Sequence, residues 1–119
     1  MKKLLLVSTI TALTLTSVVS VPQVHAADIA QSICEYVAAD DKKRMRSFLK
    51  TNKLKIRNIF KGIQCNGQNL LEFAATAGAV DTGSMIISKL PKSVVSENLA
   101  LIQSGSQPLI DAANERVSS

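Results

Sequence analysis

The chain has 119 residues and a formal net charge of +5, with 46% hydrophobic residues, no tryptophan and one histidine, His25. That length allows one small domain, and the absence of indole removes the usual platform for stacking on sugars. His25 lies in the N-terminal stretch that ends at Ala26, so the remainder has no imidazole, which excludes Ser-His and Cys-His nucleophile pairs and the common zinc sites.

Residues 1–26 read as a secretory signal peptide. Lys2 and Lys3 form the positive start, an apolar run follows from Leu4 to Val21, and Val24 and Ala26 occupy the small-residue positions before a cut after Ala26. The run spans a bilayer only marginally, and no cysteine near the cut provides a lipid anchor. The expected product is residues 27–119, periplasmic or secreted and not an integral membrane protein. A domain of that size buries only about 60–65% of its unfolded surface, so a covalent staple would matter.

The first predicted helix holds AQSICEYVAA from Ala30, with Asp28 and Gln31 at its start. A second runs from about Asp41 to Thr51, with Met45, Phe48 and Leu49 on one face. Asp40 and Asp41 sit at its N-terminus, where negative charge is favoured. The connector from Lys53 to Gly67 alternates Leu54 and Ile56 with Lys53, Lys55 and Arg57, which predicts a short extended piece. Asn66-Gly67 is a tight-turn signal. Asn69 then caps a helix, with Glu72 reaching back three residues later. The next helix spans about Val80 to Leu90, with Asp81 in its first turn, Met85, Ile86 and Leu90 on one face, and Pro91 as the stop. The second connector holds Val95, Leu99 and Ile102 at one-face spacing, predicting a short helix. Pro108 suits the first turn of a last helix.

These elements carry a weak internal repeat. GQNLLEFAAT from Gly67 recurs in outline as GSQPLIDAAN from Gly105, and each copy has an Ala pair, Ala74-Ala75 and Ala112-Ala113. The stretch from Ala30 is a degenerate third copy in which Glu35 and Tyr36 match Glu72 and Phe73. The pattern resembles the ankyrin repeat at Gly67, Leu71, Ala74, Ala75 and Gly78, and at Gly105, Pro108, Leu109, Ala112 and Ala113. It departs from that repeat where Asn69 and Gln107 replace Thr, and where Glu72 and Ile110 replace His. The fold class expected is mainly α: a small ankyrin-like stack of helix pairs with long connectors and one disulfide.

The only cysteines, Cys34 and Cys65, are far apart in the chain, unlike the C-x-x-C of a redox catalyst. In an oxidising compartment they most simply form one disulfide; two buried free thiols are the alternative. Residues 32–91 are similar to a small secreted family of gammaproteobacteria, a domain of unknown function with a Cys-Asn-Gly motif. The matching residues are Cys34, Asp40-Asp41, Leu49, Arg57, and Cys65-Asn66-Gly67 followed by Leu71 and Phe73. The resemblance implies secretion and a Cys34–Cys65 pairing, and it assigns no activity. It sets a helical domain at 27–91 and leaves 92–119 as a C-terminal helical extension.

Residues 42–61 hold nine cations and no acid: Lys42, Lys43, Arg44, Arg46, Lys50, Lys53, Lys55, Arg57 and Lys61. All nine acids of the chain lie elsewhere. Such asymmetry points to a docking face for an anionic partner, in the envelope a lipid headgroup, a lipopolysaccharide phosphate or an acidic protein. Nucleic acid does not fit the compartment. The plainer explanation is the solvated outer face of a helix and connector, with Phe48 and Phe60 in the core. Asp40-Asp41 is the closest carboxylate pair, and the helix start explains it. No catalytic constellation, metal site or cofactor motif emerges. The function expected is a small non-enzymatic periplasmic or secreted interaction module with a basic face. The alternatives are a carboxylate- or Ser-dependent hydrolase of envelope polymers and a structural or stress-related periplasmic protein.

Overall fold

The computed structural model describes residues 26–119; the signal-peptide reading of residues 1–26 rests almost wholly on residues outside this range. Seven helices form among the described residues: α1 (Ala26–Ala38), α2 (Lys42–Thr51), α3 (Ile56–Ile59), α4 (Leu70–Ala77), α5 (Val80–Lys89), α6 (Lys92–Glu97) and α7 (Gln107–Ser118). Short 3-10 turns follow α3 at Phe60–Gly62 and α6 at Ala100–Ile102.

The helix boundaries follow from local chemistry. Asp41 caps α2 by accepting from the Arg44 N–H at 3.1 Å. Asn69 caps α4, accepting from the Glu72 N–H at 2.9 Å. The reciprocal half of that capping box is not formed among the described residues. Instead the Asn69 Nδ2 donates to the Oδ1 of buried Asn98 at 2.6 Å, tying the start of α4 to the end of α6. Pro91 separates α5 from α6, and Pro108 lies in the first turn of α7. At the start of α1, Gln31 takes no capping role; its Nε2 donates to Glu35 one turn on.

Three helices end in the same way. After α1, α2 and α4 the chain turns through a left-handed residue, Asp40 (φ 52°), Lys53 (φ 53°) and Gly78 (φ 68°). At each, paired backbone bonds satisfy the last carbonyls. They run from Asp40 to Val37 and Asp41 to Tyr36, from Lys53 to Lys50 and Leu54 to Leu49, and from Gly78 to Ala75 and Ala79 to Ala74. This is the Schellman arrangement, which glycine usually serves. Asp40 and Gly78 hold the same place at the ends of their helices, α1 and α4.

Asp40 corrects the sequence reading. It does not serve α2 beside Asp41. Its carboxylate crosses to the start of α5, accepting from the Thr82 N–H at 2.8 Å, the Thr82 Oγ1 at 3.1 Å and the Asp81 N–H at 3.3 Å. The N-cap position of α5 is Ala79, which has no side chain to do this work. Asp40 is therefore a cap supplied from a distant part of the chain.

The extended piece expected near Ile56 is also corrected. Ile56 begins α3, and Ile56, Ile59 and Phe60 fall at i, i+3 and i+4, which puts buried Ile56 and Phe60 on one inward stripe. The Leu54–Ile56 alternation is too short to compete with that spacing.

The core forms around α4 and α5, which pack on each other and on α1 and α7 respectively. Leu70, Leu71, Ala74, Ile86, Leu109 and Ala113 are fully buried there, with Ile33, Val37 and Met45 from α1 and α2. Phe48 is half-buried and meets Tyr36 edge to face at 5.6 Å. The Ala pairs differ: Ala74, Ala75 and Ala113 are buried, whereas Ala112 is only half-buried. The two repeat glycines differ as well. Gly67 (φ 79°) follows Asn66 (φ 55°) in a tight turn closed by the Cys65–Gln68 bridge, the pattern that selects Asn-Gly. Gly105 has no such backbone demand. A Cβ there would sit 2.8 Å from that of Ala75, so close packing explains it.

Cys34 of α1 and Cys65, just before the turn, form the disulfide, with their Cα atoms 5.7 Å apart. It closes a loop containing α2 and α3 and contributes roughly 3–4 kcal/mol in the chain-entropy account.

Candidate functional site: a basic cleft

The fold joins four cations of the basic segment to two from farther along the chain. With Met45 buried, α2 exposes Arg46 and Lys50, one turn apart on its outer surface. The Schellman turn at Lys53 sends the chain back, placing Lys55 at the N-cap of α3 and Arg57 in its first turn, both exposed. Lys89 ends α5, and Arg116 approaches from the last turn of α7. These six side chains line one cleft of about 540 Å³, and no carboxylate lines it. Leu49, Leu54 and Pro91 are half-buried in its lining, with buried Ile56, Met85 and Leu90 beneath.

Arg116 is fixed in place. Its Nε and Nη2 donate to the Leu90 carbonyl at 3.3 and 3.0 Å. That oxygen lies at the C-terminal end of α5, where a cation also meets the negative end of the helix dipole. The lining hydroxyl of Ser88 donates to the Met85 carbonyl at 2.7 Å.

All nine cations of the basic segment are exposed, but they do not form one face. Arg46, Lys50, Lys55 and Arg57 enter the cleft. Lys42 and Lys43 share a shallow hollow with Asp40, Asp41 and Asp81, which offset their charge, and Arg46 borders that hollow as well as the cleft. Arg44 pairs with Asp41 at 3.5 Å in an exposed contact, of the kind that contributes little to stability. Lys61 lies beside Glu97 in a separate hollow, and Lys53 holds the left-handed turn after α2. The Asn66–Gly67 turn lies away from the cleft, beside the disulfide. Lys89 and Arg116 were not among the sequence-derived candidates. Their only local mark is a place in a last helical turn, and packing alone brings them to the cleft. Among the described residues, no group of three or more His, Cys, Asp or Glu side chains could hold a metal ion. No helix among them is long and apolar enough to cross a membrane.

Comparison with known proteins adds a family and no activity. Residues 33–97 match the family described as protein of unknown function DUF3718, and the chain belongs to that family. The matched span runs from Ile33 of α1 to the end of α6, so α7 and its Arg116 lie beyond it. No curated protein and no solved structure matches the chain.

Proposed function

We propose that this DUF3718 protein is a small exported interaction module, non-enzymatic, that docks an anionic component of the cell envelope in its basic cleft. The observation that carries the proposal is the convergence of six cations from distant parts of the chain on one cleft with no acid in its lining. Four come from the basic segment and two from the ends of α5 and α7. Like charges held together in this way repel one another in the unbound protein, and a bound anion relieves that repulsion.

The disulfide supports export, because such bonds persist in oxidising compartments. The two carboxylates that a hydrolase would need as a close pair, Asp40 and Asp41, are taken up as caps of α5 and α2. We also read α1–α2 and α4–α5 as copies of one ankyrin-like helix pair; the matching helix ends at Asp40 and Gly78 support this.

Co-sedimentation with vesicles containing anionic phospholipid tests the proposal. Exposed charges are screened over about 8 Å at physiological salt, so the wild type is expected to bind at low salt and to release steeply as salt rises. Binding that is absent at low salt, or equal on zwitterionic vesicles, overturns it.

A further inference from the structure

We infer that the cleft takes a single anionic amphiphile, its phosphate held by the cations and the first part of its aliphatic chain laid on the apolar lining. The inference rests on the anion-docking reading above and names the ligand class. Two features of the cleft support it. The first is its two-part lining. A site for a purely hydrophilic anion has no use for Leu49, Leu54 and Pro91 left half-buried in the lining, yet here they lie among the cations. The alkyl stems of Lys50 and Lys55 extend such a surface, since long cationic side chains cover apolar groups while their heads stay in water. The arginines Arg46 and Arg57 offer forked donors suited to phosphate oxygens. The second feature is size. About 540 Å³ suits one small-molecule ligand, enough for a phosphate headgroup and the first part of a chain, whereas an extended polyanion would follow a longer basic track. The other cations of the segment lie outside the cleft, several of them beside carboxylates.

The test uses residues 27–119 with the disulfide formed and probes that stay monomeric in solution. Dihexanoyl phosphatidylglycerol, its dibutanoyl analogue, inorganic phosphate, dihexanoyl phosphatidylcholine and a polyglutamate peptide are titrated separately at low salt. Binding is followed by calorimetry and by amide chemical shifts. The dihexanoyl phosphatidylglycerol is expected to bind best and to shift amides around Leu54, Arg57 and Lys89. Shortening its chains is expected to weaken it about tenfold or more, as lost burial of two or more methylenes predicts. Lys50→Glu with Lys89→Glu is expected to remove the binding while the circular dichroism is unchanged. If inorganic phosphate or polyglutamate binds as tightly as the amphiphile, or chain length has no effect, the amphiphile inference fails and the anion-docking reading stands. If the phosphatidylcholine binds equally well, or none of the anions binds, both fail.

Discussion

Removing the carboxylate of Asp40 tests how the two halves of the helical stack are joined. Asp40 supplies the cap that Ala79 cannot, through one bond to the Asp81 N–H and two to Thr82, a residue with no solvent exposure. Loss of an N-cap costs about 0.5–2 kcal/mol. Leaving a buried donor such as the Thr82 N–H unsatisfied costs about 1–3 kcal/mol. These overlap, so Asp40→Ala is expected to destabilise the protein by roughly 2–3 kcal/mol. The left-handed backbone at Asp40 separates two contributions. Asp40→Gly loses the same bonds but relieves a strain of about 1 kcal/mol, so its loss is expected to be smaller, roughly 1–2 kcal/mol. Asp40→Asn keeps an acceptor oxygen and tolerates the left-handed conformation, and is expected to lose least. Urea unfolding followed by helical circular dichroism reads the series. With a slope of about 1 kcal/mol per molar for a small domain, Asp40→Ala moves the midpoint down by roughly 2–3 M. An Asp40→Ala midpoint within experimental error of the wild type would show that the bonds to Thr82 do not hold α5. Equal losses for the Gly and Ala variants would remove the backbone part of the reasoning.

Three further outcomes are expected. Cys65→Ser should lower stability by about 2–4 kcal/mol, and wild-type protein produced in an oxidising compartment should yield no alkylatable thiol until it is reduced; two reactive thiols would refute the pairing. Gly83→Ala places a Cβ 2.6 Å from the Leu109 Cδ1 and 3.3 Å from the Ala74 Cβ in a fully buried contact. Overpacking of about 1–3 kcal/mol should outweigh the roughly 1 kcal/mol gained in helix propensity, and a stabilised variant would show that α5 and α7 are not closely apposed. Asn69→Ala removes both the cap of α4 and the link to Asn98, and should cost about 1–2 kcal/mol by thermal or urea unfolding. A neutral result would mean that α4 needs no side-chain cap.

The parts of this structure that could be read from the sequence are those set by neighbours along the chain. Asn69, Pro91 and Pro108 act within a few residues of themselves, and the helices they start or stop lie close to where they were expected. The Asn66–Gly67 turn is also local, since both residues adopt positive φ. The expectations that failed involve competition or distance. At Ile56 a brief alternation lost to a helical spacing completed only by Ile59 and Phe60. Asp40 looks like half of an acidic start for α2, and nothing nearby in the chain reveals that its partner is Thr82. The candidate site was half legible for the same reason. A run of cations is visible as a run, but its division between the cleft and the acidic hollow, with Arg46 bordering both, depends on how α2 packs against α5. Lys89 and Arg116 reach the cleft only because α5 and α7 pack side by side.

Two charge reversals of equal size test the basic cleft most directly. Lys50→Glu, Arg57→Glu and Lys89→Glu together alter its lining; Lys42→Glu, Lys43→Glu and Lys61→Glu together change the net charge by the same amount outside it. Both sets are exposed, and helical circular dichroism checks that each variant is folded before binding is compared. In co-sedimentation with anionic vesicles at low salt, the first variant is expected to lose binding and the second to keep most of it. Equal loss in both would mean that net charge alone draws the protein to anions, and full binding by the first would show that the cleft is not where they dock.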